Sequence, residues 1–168
     1  MNPRPTRRTV LLCAAAVAVW RPAPGYAAGP DDAKLLNTLL AIEHAVIYDL
    51  SAAGATLPIG RRAQVLTHYD EHRIRRDALT VRITALGGAP VAALAAYADP
   101  VAGANALADI ETIERAGVQG YHGAITVVAD TLARDLCAQA FIAECRHWAL
   151  ARAAAGLPGA PVAFVTGA

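Results

Sequence analysis

Hydrophobic positions recur at steps of three and four residues along four stretches of the chain, the spacing of helices that each bury one face. The first stretch opens at Asp31-Asp32 and runs to about residue 53, stopping at Gly54. Its stripe is Leu36, Leu39/Leu40, Val46/Ile47 and Leu50, with Glu43 filling the gap in the series. The second covers about 61–86, with Val65, Tyr69, His72, Arg76, Leu79, Ile83 and Leu86 on one face. Gly87-Gly88 and Pro90 are its stop signals. The third opens near Val101 and carries Leu107, Glu111, Glu114, Val118, Tyr121, Ile125 and Val128. The fourth carries Leu136, Ala140, Ala143/Glu144, His147, Leu150/Ala151 and Ala154, and ends at Gly156. Asp130-Thr131 supplies the N-cap chemistry that divides the last two, since one helix over 101–156 is too long for a compact domain. Residues 57–60 form a turn, 91–100 a longer loop that packs Leu94 and Tyr97 across the bundle, and 157–168 an extended tail. Four amphipathic segments with mostly short connections predict an all-α fold, an antiparallel four-helix bundle.

The polar residues inside those stripes carry the candidate chemistry. Glu144-Cys145-Arg146-His147 places a carboxylate and an imidazole about one turn apart on one face. Glu43, His72 and Glu111 or Glu114 hold equivalent inward positions on the other helices. Burying so many ionisable groups is costly unless they pair, hydrogen-bond or hold a metal. Bundles that hold two iron or manganese ions take a Glu from each of two helices and Glu-x-x-His from each of the others. The second helix departs from that pattern. Tyr69 stands three residues before His72, and His68 with Glu71 runs in the reversed order, so both cannot turn inward with His72. A mononuclear or asymmetric site of Glu43, His72, Glu111, Glu114, Glu144 and His147 survives; a standard dinuclear one loses a bridging carboxylate.

Arg76 offers a rival account. One turn beyond His72, an inward guanidinium would neutralise Glu43, Glu111 or Glu114 without any metal, giving a buried ion-pair layer that holds a structural or partner-binding bundle. His68 with His72 is also a zinc-type pair at i and i+4, although on so charged a helix that spacing ordinarily marks a solvated face. His44 and His122 lie beside their stripes and are expected at the surface. Tyr48, Tyr69 and Tyr121 read as core, with a redox pocket as the alternative. Haem is disfavoured, because few bulky apolar residues remain to wrap a porphyrin.

Composition changes the picture at the N-terminus. Thr6-Arg7-Arg8-Thr9-Val10-Leu11-Leu12, an apolar run over 10–19 and Gly25-Tyr26-Ala27 resemble a twin-arginine export signal cleaved after Ala27. The run is too short to span a bilayer, so no membrane anchor is expected after cleavage. Without Arg4, Arg7, Arg8 and Arg21, 11 basic residues face 14 acidic ones, a net charge of −3 that gives nucleic acid no purchase. The domain is then 28–168, and the protein is expected to be periplasmic, cell-wall or secreted. Cys137 and Cys145, eight apart on one helix, sit about 12 Å from each other and read as small hydrophobes, not a disulfide.

Glu43-His44-Ala45 with a following Tyr, His72-Arg73-x-Arg75-Arg76-Asp77-x-Leu79, Tyr97 to Pro100, Leu107 with Glu111, and Ala163-Phe164 resemble an exported ferritin-like domain family of unknown function. The resemblance spans most of 33–165 and implies a ferritin-like four-helix bundle. It implies no particular reaction. The wider ferritin-like superfamily includes iron-storage, oxidase and manganese catalase members and others that have lost their metal, so iron or manganese with oxidative or peroxide-handling chemistry is the expectation for the Glu/His site; a vestigial site would hold none. Bundles of this kind commonly pair, so a homodimer is expected, although the pattern shows no long exposed apolar stripe to mark its interface.

Overall fold

A computed structural model describes residues 30–97, 101 and 106–159, so the expected export signal at 1–27 and the closing residues 160–168 lie outside it. Four helices account for most of the described chain: α1 (Pro30–Thr56), α2 (Ile59–Ala85), α3 (Ala106–Ile125) and α4 (Thr131–Ala154). The break expected at Asp130-Thr131 is there. Asp130 caps α4 by accepting from the Ala133 N–H at 2.7 Å. α1 does not stop at Gly54 but continues to Thr56, because the barrier is Pro58. Its ring restricts Leu57, and it brings no N–H to extend a helix. α2 and α4 end in the same device: Gly87 (φ 80°) and Gly156 (φ 75°) take the left-handed conformation. The next amide then reaches back, Gly88 to Ile83 O at 2.9 Å and Leu157 to Arg152 O at 2.8 Å.

The topology follows from what touches what at the two ends. At one end, Asp32 of α1 accepts from the Ala129 and Asp130 amides in the α3–α4 turn, and Arg82 near the end of α2 bonds Asp130. α1 and α4 therefore start where α2 and α3 finish, and each of the packed pairs α1–α2, α3–α4, α1–α3 and α2–α4 is antiparallel. α2 and α3 run in the same direction, so the segment joining them must return along the length of the bundle. It does so along α1. Asn37 bonds Ala89 and Val91, His44 meets Val91 O, Tyr97 rests against Tyr48, and Asp49 accepts from the Val101 amide. Tyr97 thus packs as expected, while Leu94 is left largely exposed.

The core is leucine on α1 (Leu36, Leu39, Leu40, Leu50), Leu79 and Ile83 on α2, and mostly small residues on α3 and α4. Each buried leucine contributes about 1.5–3 kcal/mol. Alanine and glycine on the later helices let them approach α1 closely, as Gly120 does beside Leu39 and Ile42. Among the described residues no helix is long and apolar enough to cross a membrane.

Candidate metal centre

Halfway along the bundle this apolar core is interrupted by a layer of buried polar side chains from all four helices: Glu43, His68, His72, Arg75, Glu114, Glu144 and His147. Each helix contributes because the stripe that buries leucine and alanine above and below continues through the layer. On α2 that stripe is Val65, His68, His72, Arg75, Leu79 and Ile83.

One nitrogen or oxygen from each of His72, Glu114, Glu144 and His147 lies within 4.8 Å of all the others, an arrangement able to hold a metal ion. Each of the four also spends one polar atom on a neighbour. His72 Nδ1 meets Glu43 Oε2 at 2.7 Å, and His147 Nε2 meets Glu71 Oε2 at 2.8 Å. Glu114 Oε1 meets His68 Nδ1 at 3.0 Å, and Glu144 Oε1 accepts from Arg75 NH1 at 2.5 Å. The second atom of each, His72 Nε2, His147 Nδ1, Glu114 Oε2 and Glu144 Oε2, is buried with no hydrogen-bond partner. Glu114 Oε2 lies 3.4 Å from His72 Nε2 and 3.5 Å from His147 Nδ1, so three of these atoms converge. Leaving a buried polar atom unmade costs about 1–3 kcal/mol, and His68 Nε2 and Arg75 NH2 add two more. Four unsatisfied donor atoms in one place are what a cation would satisfy. The site also needs Gly117, since any Cβ there would overlap the Glu144 carboxylate.

The ionisable groups of the layer shift one another strongly. Burial pushes the Glu43 and Glu114 carboxyls up. His72 and Arg75 outweigh that at Glu43, and His72 with the adjacent imidazoles outweighs it at Glu114, which lies well below its ordinary range. Burial opposes charge on His72 as well, but Glu43, Glu144 and Glu114 raise its pKa to about 10. Glu144 goes the other way. Burial, reinforced by the neighbouring Glu114 and Glu43, overrides His72 and Arg75 and raises its carboxyl well above the usual value. His147 is pushed below its ordinary value by burial. Tyr121, raised by burial and the Glu43 charge, donates to Glu43 Oε1 at 2.5 Å.

Several expected positions change. Arg76 is not the buried guanidinium: it points outward and pairs with Asp77 at 2.7 Å, while Arg75 enters the layer. The buried face of α2 keeps Val65, His72, Leu79 and Ile83 but takes His68 and Arg75, on one flank of the expected stripe, in place of Tyr69 and Arg76 on the other. His68 is accordingly buried with His72, its ring stacked on His147 at 4.0 Å, and not on a solvated face. Glu111 is separate from the four-atom cluster; it accepts from Trp148 Nε1 at 2.7 Å and pairs with Arg152 at 3.2 Å. Glu43 supports His72 and is not among the four. Glu71, at the rim, had no role assigned from sequence; its signal was the reversed His-x-x-Glu order. A groove of about 270 Å³ between α2 and α4 is walled by Glu71, Arg75, Ile74 and Gln139, beside the layer.

A solved structure of a conserved hypothetical protein, rv2844, from Mycobacterium tuberculosis is similar to this chain. It is 25% identical, superposes with a TM-score of 0.69, and the match covers 73% of this chain and 96% of that one. No curated protein matches the chain. The sequence profile of a domain of unknown function (DUF4439) matches residues 35–162, which include the whole buried layer, and the chain belongs to that family.

Proposed function

We propose that the protein is an exported, ferritin-like metal-binding protein whose single-ion site is formed by His72, Glu114, Glu144 and His147. The observation that carries this reading is the pairing pattern: each candidate ligand is held through one atom while its other atom is buried and unpartnered. Carboxylates on the far nitrogen of ligating histidines are a common device for fixing ring orientation and raising basicity, and Glu43 and Glu71 stand there. Two imidazoles and two carboxylates with no thiolate suit iron(II) or manganese(II). The single long connection between α2 and α3 supports the ferritin-like relationship. A second ion has no bridging carboxylate from α2, where Tyr69 is only partly buried.

A bound iron or manganese would supply Lewis acidity and one-electron chemistry suited to oxygen or peroxide. The protein's own residues do the rest. Arg75 orients Glu144, Glu43 and Glu71 set the histidine tautomers, Tyr121 keeps the outer oxygen of Glu43 satisfied, and the leucines around the layer exclude water.

Elemental analysis of protein purified without chelator tests the reading. Near-stoichiometric iron or manganese, lost in Glu144→Ala, is expected. Protein that carries none and takes up none of Fe(II), Mn(II) or Zn(II) overturns it. The second reading, a metal-free ion-pair layer, is favoured by the 2.5 Å Arg75–Glu144 contact and would then stand. Export is tested separately: replacing Arg7-Arg8 with Lys-Lys should retain the protein inside the cell.

A further inference from the structure

The outer face of α2 carries an exposed apolar stripe that the sequence pattern had concealed behind intervening charges. Ile59, Leu66, Ile74 and Val81 are 86%, 45%, 70% and 70% exposed, although isoleucine and valine are among the residues most often buried. They fall at intervals of seven, eight and seven residues, so they share one side of the helix, opposite His68, His72 and Leu79. Read from either end, that series is the same, with Asp70 at its centre.

We propose that this face pairs α2 with α2 of a second copy, antiparallel, about a two-fold axis near Asp70. An isologous interface needs a surface complementary to itself under such an axis. Here Ile59 falls opposite Val81 of the other copy, and Leu66 opposite Ile74. The charges fit the same operation. Arg62 comes level with the other copy's Asp77. The exposed Arg73, 3.5 Å from its own Asp70, reaches the other Asp70 as well and offsets the two carboxylates that meet at the axis. A heterologous partner would not require a stripe that reads alike in both directions. Ile74 also walls the α2–α4 groove beside Glu71, so the pairing covers one side of that groove. The proposal does not depend on whether a metal is bound.

Sedimentation equilibrium on the purified protein over about 1–200 µM tests it. The expected result is a reversible dimer that Ile74→Asp weakens at least tenfold with no loss of helix content. Arg62→Glu and Asp77→Arg should each weaken it, and the double exchange should restore it. A Leu66→Cys, Ile74→Cys chain in a Cys145→Ser background gives the geometric check. The two positions lie about 12 Å apart within one helix, beyond disulfide reach, so only crossed bonds between copies can form. A monomer at every concentration, or a dimer indifferent to Ile74→Asp and unlinked by the cysteine pair, overturns the proposal.

Discussion

Two clusters of opposite charge hold this bundle, one at an end and one at its middle, and they are built to different standards of completeness. At the end, both oxygens of Asp32 accept backbone amides, from Ala129 at 3.1 Å and Asp130 at 2.8 Å. Asp130 in turn accepts from Ala133 N and from Arg82, whose Nε lies 2.8 Å away. No side-chain atom of Asp32, Asp130 or Arg82 is left buried without a partner; every such atom among the described residues belongs to the middle layer. A network whose task is to lock a turn to two helices is satisfied within the protein. The middle layer, better enclosed and with more donors and acceptors, leaves six atoms unmade. Natural structures ordinarily satisfy buried polar groups, so this difference separates a structural network from a site awaiting something else.

The comparison can be broken most forcefully at Arg75. Arg75→Leu removes a buried cation from three carboxyl groups and should destabilise the metal-free protein by about 3–5 kcal/mol in urea unfolding, with part of the loss recovered on adding Mn(II). Unchanged stability would show that the layer is not held by charge. At the end cluster, Asp32→Ala strands two amides and should cost about 2–3 kcal/mol, with metal uptake unaltered.

Gly117→Ala sharpens the middle. The added methyl must displace the Glu144 carboxylate, so metal affinity should fall at least tenfold by titration, while alanine in a helix offsets part of the packing cost. Retained affinity would remove Glu144 from the site.

The end cluster also predicts a pH dependence. Burial raises the Asp130 carboxyl, but the Arg82 hydrogen bond and the α4 amides outweigh it and hold the folded pKa below the usual value. A depressed carboxylate pKa contributes stability above the unfolded value, near 4, and loses it as pH falls through the folded value. Asp130→Asn keeps the cap and removes the charge. It should cost about 0.5–1 kcal/mol at pH 7, since the pair is partly exposed to solvent, and nothing in strong acid. A deficit that persists in strong acid would assign the effect to geometry. The smallest effect concerns Cys137, whose thiol burial pushes up to about 12; it should stay unlabelled by maleimide while the native fold persists.

Much of this was legible in the chain. The start of α4 and the ends of α2 and α4 follow from Asp130, Gly87 and Gly156, whose local chemistry does not depend on the rest of the fold; α1, expected to stop at Gly54, runs on to Thr56, and α3 starts at Ala106 and not near Val101. Glu144 and His147 were legible because a carboxylate and an imidazole interrupt an otherwise apolar stripe at helical spacing. Arg75 was not, because Arg75 and Arg76 stand three and four residues after His72, both spacings fit the face that holds His72 and Leu79, and the sequence does not say which guanidinium turns in. Glu111 and Glu114 both lie on the buried side of α3, and only the positions of Trp148 and Arg152 show that Glu111 belongs to another network. Glu71 reaches His147 from the rim through its length, which no periodicity records. Gly117 is visible only as a space that Glu144 fills.

The central claim is that the unpartnered atoms of the middle layer are metal ligands. Anomalous diffraction from a crystal equilibrated with Mn(II) tests it most directly. The account predicts one peak, about 2–2.3 Å from His72 Nε2, Glu114 Oε2, His147 Nδ1 and a Glu144 oxygen. A fully loaded crystal with no peak in the layer, or with water hydrogen-bonded to those same atoms, would contradict it.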